Sequence, residues 1–325
     1  MNLKQTWKAF LLRGLATFAI VTAVTACGGS NDDDHKPAGP GTILKEAQGK
    51  GLTALAAAVD KAGLSNTLSN TSAQLTVFAP TDQAFNDLAT KLGLANGTAL
   101  VNALTAQQLQ SILTYHVLGS KKTAADLVTG GATQATQYSY NSAATSLKLT
   151  TTSGVKITDA ILTDATVTSA DVPASNGVIH VIDKVLVPPG VLNVVQIAQA
   201  NPLFSSLVGA VVATNLQGTL SGAGPFTVFA PTNTAFAAAP TGLTVPQLTT
   251  VLTYHVVAGQ VLSNAIPFGT RINTVAAGKT ITINSTTPPT ITDSTAVAAK
   301  IVAVDVRASN GVIHVIDKVL IPTLP

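Results

Sequence analysis

Residues 171–188, DVPASNGVIHVIDKVLVP, return as residues 305–322, DVRASNGVIHVIDKVLIP. Sixteen of the eighteen positions are unchanged, the exceptions being Pro173 to Arg307 and Val187 to Ile321. Repetition this close marks one structural unit written twice. Asn176-Gly177 and Asn310-Gly311 sit between Val-rich extended runs, the usual sequence signal for a hairpin.

Two more blocks repeat upstream. Thr76-Val77-Phe78-Ala79-Pro80-Thr81-Asp82 becomes Thr227-Val228-Phe229-Ala230-Pro231-Thr232-Asn233, and Leu113-Thr114-Tyr115-His116-Val117 becomes Leu252-Thr253-Tyr254-His255-Val256. The offset falls from 151 to 139 to 134, so the second copy is shorter. Lys91 to Asn102 has the size of the missing piece and reads as a loop insertion. The boundary falls at Pro188-Pro189-Gly190, dividing the chain into domains at 42–188 and 189–325.

Within each copy the pattern changes from helical to extended. Leu52, Leu55, Val59 and Ala62 recur at helical spacing, matched by Phe204, Leu207, Val211 and Thr214. Asn201-Pro202 supplies a cap and a first-turn proline, and Thr81 caps a helix carrying Phe85 and Leu88. Thr105-x-x-Gln108 and Thr244-x-x-Gln247 are capping boxes, each opening a helix that ends at the Tyr-His pair. Thr- and Val-rich segments follow at Ser146–Thr151, Val155–Thr158, Val167–Asp171 and Val178–Leu186. Early helices and later strands predict an α+β class.

The first segment reads as an address. Lys4, Lys8 and Arg13 precede an uncharged apolar run from Leu15 to Thr25, the layout of a signal peptide spanning residues 1–26. The stretch Val24-Thr25-Ala26-Cys27 resembles the bacterial lipobox, which predicts a lipidated Cys27. Residues 27–41 follow as a polar, Gly- and Pro-rich tether. The chain has 18 Lys+Arg against 15 Asp+Glu, and three of those cations leave with the signal. The mature balance is then neutral, which leaves no basic footprint for nucleic acid and no patch for anionic lipid. With the single cysteine used as an anchor, no disulfide forms within the chain.

The three repeated blocks resemble the fasciclin domain. The Thr-Val-Phe-Ala-Pro-Thr-(Asp/Asn)-x-Ala-Phe motif falls at Thr76–Phe85 and Thr227–Phe236. The Tyr-His motif falls at Tyr115-His116 and Tyr254-His255, and the Asn-Gly-Val-Ile-His motif at Asn176–Pro188 and Asn310–Pro322. The resemblance implies two tandem wedges of about seven strands with packed helices. It implies an extracellular adhesion or matrix-binding role, in proteins that often carry tandem domains and membrane anchors.

The motif residues invite chemistry. A metal site would draw on His116, His180 and Asp183, with His255, His314 and Asp317 in the second copy. Zinc sites usually show imidazoles at i, i+3 or i+4 or cysteine ligands, and neither domain has them. We therefore assign these side chains to backbone hydrogen bonding, and expect no metal and no cofactor. A serine hydrolase needs a nucleophile held beside its base; no Gly-x-Ser-x-Gly elbow occurs, and Ser175 and His180 flank the hairpin. No phosphate-binding glycine loop appears. Asp171 and Asp305 precede the hairpin without a calcium-loop pattern and read as strand-end acceptors.

The expected function is non-catalytic adhesion or matrix interaction at the cell envelope. The partner class is an extracellular or envelope macromolecule, protein or polysaccharide, with homotypic pairing included and nucleic acid excluded. The expected location is an outer membrane lipoprotein facing the periplasm or the cell surface. A polysaccharide-binding module is the alternative, since Tyr138 and Tyr140 share one face of a strand and aromatic faces suit sugar rings. A metal-binding protein is the third option.

Overall fold

The computed structural model describes residues 39–151 and 154–324. The signal segment, Cys27 and the tether as far as Ala38 lie outside them.

Among the described residues the first copy forms β1 (Leu75–Pro80), β2 (Val117–Leu118), β3 (Thr133–Tyr140), β4 (Ala143–Thr150), β5 (Lys156–Thr158), β6 (Asp164–Ala174) and β7 (Gly177–Ile182). They lie in the order β2-β1-β7-β6-β5-β4-β3. The second copy forms β8 (Phe226–Pro231), β9 (Val256–Ala258), β10 (Arg271–Asn273), β11 (Thr280–Asn284), β12 (Thr290–Thr292), β13 (Ala299–Ala308) and β14 (Gly311–Ile316). Its order, β9-β8-β14-β13-β12-β11-β10, repeats the same topology. Neighbouring strands are antiparallel except at the centre, where β1 runs parallel to β7 and β8 to β14.

The central pairs explain why the repeated blocks are so apolar. Parallel strands are covered on both faces and need continuous hydrophobic runs. Every residue of β7 and β14 is buried, and so is all of β1 and β8 after the first position. One face carries the helices. Ile43, Leu55, Val59 and Leu113 pack with Val77 and Ile179 there. The other face closes over Phe78, Tyr115, Leu147, Ile157 and Ile182 in the first copy, and over Phe229, Tyr254, Ile283, Ile291 and Ile316 in the second. Burying one such Ile or Phe contributes about 1.5–3 kcal/mol.

Caps fix the helix starts. Thr81 Oγ accepts from the Ala84 amide at 3.1 Å and opens the helix Asp82–Lys91. Both capping boxes are complete and open the helices Ala106–Tyr115 and Val245–Tyr254. Asn201 caps a single 3-10 turn at Pro202–Phe204, and the α-helix itself follows at Ser205–Ala213.

Two expectations are corrected. The stretch Lys91 to Asn102 is no loop: all of its second half lies in the helix Gly97–Ala103, capped by Asn96 and burying Leu100 and Val101. The hairpin between β6 and β7 turns at Ser175–Asn176, one residue before the Asn-Gly dipeptide is centred. Asn176 is fully buried there, and its side chain does other work. Its Oδ1 accepts from the Ile43 amide at 2.8 Å, and its Nδ2 donates to the Leu68 and Asn70 carbonyls. Asn310 makes the same three bonds to Val194, Leu220 and Gly222. Each asparagine thus staples its domain's first and third helices to the end of the hairpin.

The junction between copies is part of the core. Val191 and Leu192 are buried, and one hydrophobic cluster runs from the first domain's helices through them to Ile197, Phe204 and Val315. Asn201 Nδ2 donates to the Ile161 carbonyl at 2.8 Å across the junction. Gly190 has φ +81°, and a Cβ there would lie 2.2 Å from the Tyr140 ring.

Candidate functional site

The Tyr-His pair ends the helix Ala106–Tyr115, with His116 as its C-cap. The His116 ring donates from Nδ1 to the Ile112 carbonyl at 2.7 Å, one helical turn back. Its Nε2 accepts from the Leu186 amide at 2.9 Å, just beyond β7. This pairing requires the neutral Nδ1–H tautomer. Burial lowers its pKa to about 4, even though the Ile112 carbonyl favours the proton. His255 repeats the arrangement with Val251 at 2.7 Å and Leu320 at 2.8 Å, and its pKa also falls to about 4 through burial. Each imidazole bolts the end of a helix to the chain leaving the central strand.

His180 sits on β7 with the opposite tautomer. Its Nε2 donates to the Lys122 carbonyl at 2.9 Å and its Nδ1 accepts from the Asp171 amide at 3.3 Å. His314 does the same with Val261 and Asp305, and burial lowers its pKa. These rings lie 5.7 and 5.6 Å from Phe78 and Phe229.

Asp171 and Asp305 have φ of 57° and 60°, a left-handed conformation that Asp tolerates better than most residues. They fall where β6 and β13 lose register with their neighbours, the signature of a bulge. Their carboxylates accept from the Ala124 and Ser263 amides. Asp183 and Asp317 are exposed and accept from the Thr166 and Lys300 amides at 2.6 and 2.7 Å.

The residues considered for a metal set are therefore each bonded to a separate backbone group. Among the described residues, no group of three or more His, Cys, Asp or Glu is placed to hold a metal ion. Tyr115 and Tyr254 are buried beside the histidines and donate to the Ser146 and Thr280 carbonyls. Burial raises both phenol pKa values.

Tyr138 and Tyr140 do share one face of β3, and it is the inner face. Tyr138 meets Tyr115 edge to face at 6.2 Å, and its hydroxyl donates to the Pro189 carbonyl at 3.1 Å. Tyr140 lies against Gly190. Both rings brace the junction between the domains.

Two side-chain roles went unnoticed in the sequence. Asp159 is buried, and its carboxylate accepts from the amides of Ile161, Thr163 and Val187 and from the Thr163 hydroxyl, with no cation among these donors. Burial pushes its pKa up to about 6 against those bonds. Asp293 holds the matching position and is paired with Lys318 at 2.7 Å. That of Asn176 is the other. A polar residue kept at the same 134-residue offset as the main repeat was the available signal for both.

The fasciclin-domain family model matches residues 50–188 and 202–322, and the chain belongs to that family. It is 42% identical over 137 residues to protein sll1735 of Synechocystis, an alignment spanning 40% of this chain and 97% of that one. It is 30% identical over 262 residues to the fasciclin-like arabinogalactan protein elcF of Phaeosphaeria nodorum, covering 78% and 79% of the two chains. It is 33% identical over 143 residues to the cell surface glycolipoprotein MPB83 of Mycobacterium bovis, covering 38% and 58%.

Proposed function

We propose that this protein is a non-catalytic adhesion or matrix-interaction protein, exported and held at the cell envelope through a lipid on Cys27. The observation that carries the reading is the use made of the repeated polar motif. All eight ring nitrogens of His116, His180, His255 and His314 are engaged with backbone groups. The most strongly repeated residues therefore build the frame, and contact with a partner falls to the rest of the exposed surface. The naming of MPB83 as a cell surface glycolipoprotein supports the anchor, which lies outside the described residues. Tyr138 and Tyr140 face the junction, which favours a protein partner over a glycan stacked on these rings.

Cys27→Ala is expected to move the protein from the membrane fraction to the soluble fraction and to remove cell attachment, while the melting curve stays unchanged. Acyl mass absent from the mature wild-type chain would refute the anchor. Turnover of a substrate by purified protein, lost on one His or Ser change that leaves the melting temperature intact, would refute the non-catalytic reading.

A further inference from the structure

A cavity of about 170 Å3 lies beneath the first helices of the first domain. Its walls include Ile43, Leu55, Val59, Leu68, Val77 and Leu113. Thr67 and Gln137 also line it and are exposed, so its mouth is polar. His116 reaches the wall, with both ring nitrogens already bonded to backbone.

The second domain has the matching aliphatic walls, including Val194, Leu207, Val211, Val228 and Leu252, yet encloses only about 40 Å3. Two substitutions add bulk in this part of the second domain, and one of them, Val208, lines the smaller cavity itself. Val208 stands fourth in the helix Ser205–Ala213, where Ala56 stands fourth in the helix Thr53–Lys61. Phe226 opens β8 where Leu75 opens β1. Both changes add carbon to the second domain. Val194 and Val195 in place of Ile43 and Leu44 take away one carbon each, which is less.

Interiors are close-packed, and voids much larger than a water molecule are few. A dry aliphatic cavity of about 150 Å3 takes up benzene or xenon. We infer that the first domain binds the hydrocarbon end of a small amphiphile, about six to eight carbons long by that comparison. The polar head stays at the mouth beside Thr67 and Gln137. The second domain, already filled by its own side chains, does not bind it.

The test uses the full chain and octan-1-ol as the probe. Octan-1-ol is expected to raise the melting temperature and to give saturable methyl shifts at Leu55, Val59 and Leu113, with none at Leu207, Val211 or Leu252. The double variant Ala56→Val, Leu75→Phe copies the second domain. It is expected to melt at or above the wild-type temperature and to lose the saturable shifts. Crystals under xenon pressure supply a reading that needs no variant: density between Val59 and Leu113 supports the site. No saturable shift in the wild type, shifts that survive in a folded double variant, or xenon filling both domains alike would each overturn it.

Discussion

Gly177→Ala is expected to leave the first domain unable to hold its sheet. A Cβ at this position would lie 2.0 Å from the Leu75 carbonyl oxygen. Leu75 and Gly177 are directly paired at the start of the parallel ladder between β1 and β7. The obstacle is backbone, so no rotamer change relieves it, and the two strands must separate where both are buried. We expect a loss of about 4 kcal/mol or more, the range reserved for severe overpacking. That is much of a domain's total stability, typically about 5–15 kcal/mol. Gly311→Ala should do the same to the second domain, because its Cβ would lie 2.2 Å from the Phe226 carbonyl oxygen. Urea unfolding followed by circular dichroism measures the loss. An unchanged midpoint in either variant would show that the parallel pairing tolerates a side chain there.

Acid is expected to open the second domain before the first. His116 and His255 each have a pKa of about 4 in the fold against 6.5 when unfolded. The unfolded chain takes up the proton first, so the contribution is full above pH 6.5 and shrinks as the pH falls towards 4. Each histidine then forfeits about 3 kcal/mol. Asp159 works in the other direction. Its pKa is about 6 in the fold against 3.8 when unfolded, so the fold takes up the proton first and gains stability between those values. That gain is also about 3 kcal/mol, and it offsets His116.

The second domain lacks this compensation. Burial tends to raise Asp293, but bonds from Lys318, Thr295 and Ile321 hold it below the usual carboxylate value. Its protonation in acid therefore costs stability, in the same direction as His255. Hydrogen exchange read by mass spectrometry resolves the two domains. At pH 4.5, peptides from β12 to β14 should lose protection well before those from β5 to β7. Equal loss, or earlier loss in the first domain, would show that Asp159 does not act as the counterweight.

The legible parts of the fold were those where one residue type has one use. Continuous apolar runs marked the parallel strands, and Thr-x-x-Gln marked two helix starts, because few other structures use those patterns. Ambiguous residues were misread. Asn96-Gly97 is as good a turn as a cap, and only the burial of Leu100 and Val101 decides for a helix. Asn176 looked like turn chemistry because the backbone pattern hides what a side chain reaches 133 residues away. The alternation on β3 placed Tyr138 and Tyr140 together, but both faces of that strand carry Thr, Gln and other polar residues, so nothing local distinguished inside from outside. Asp159 was passed over because its four donors form no local motif, and only its recurrence as Asp293 pointed to it.

The buried junction alters what counts as a movable piece of this protein. Duplication of a domain usually adds a self-sufficient bead that later recombination can lift out and fuse elsewhere. Here the second copy starts inside the first copy's interior, with Val191, Leu192 and Phe204 sharing its apolar cluster and Asn201 tied to Ile161. A cut at Pro188-Pro189-Gly190 would leave each fragment with a raw hydrophobic edge. A copy can therefore be lifted out only where polar side chains replace those along that edge, so recombination at this point carries a cost that a bead-like arrangement avoids.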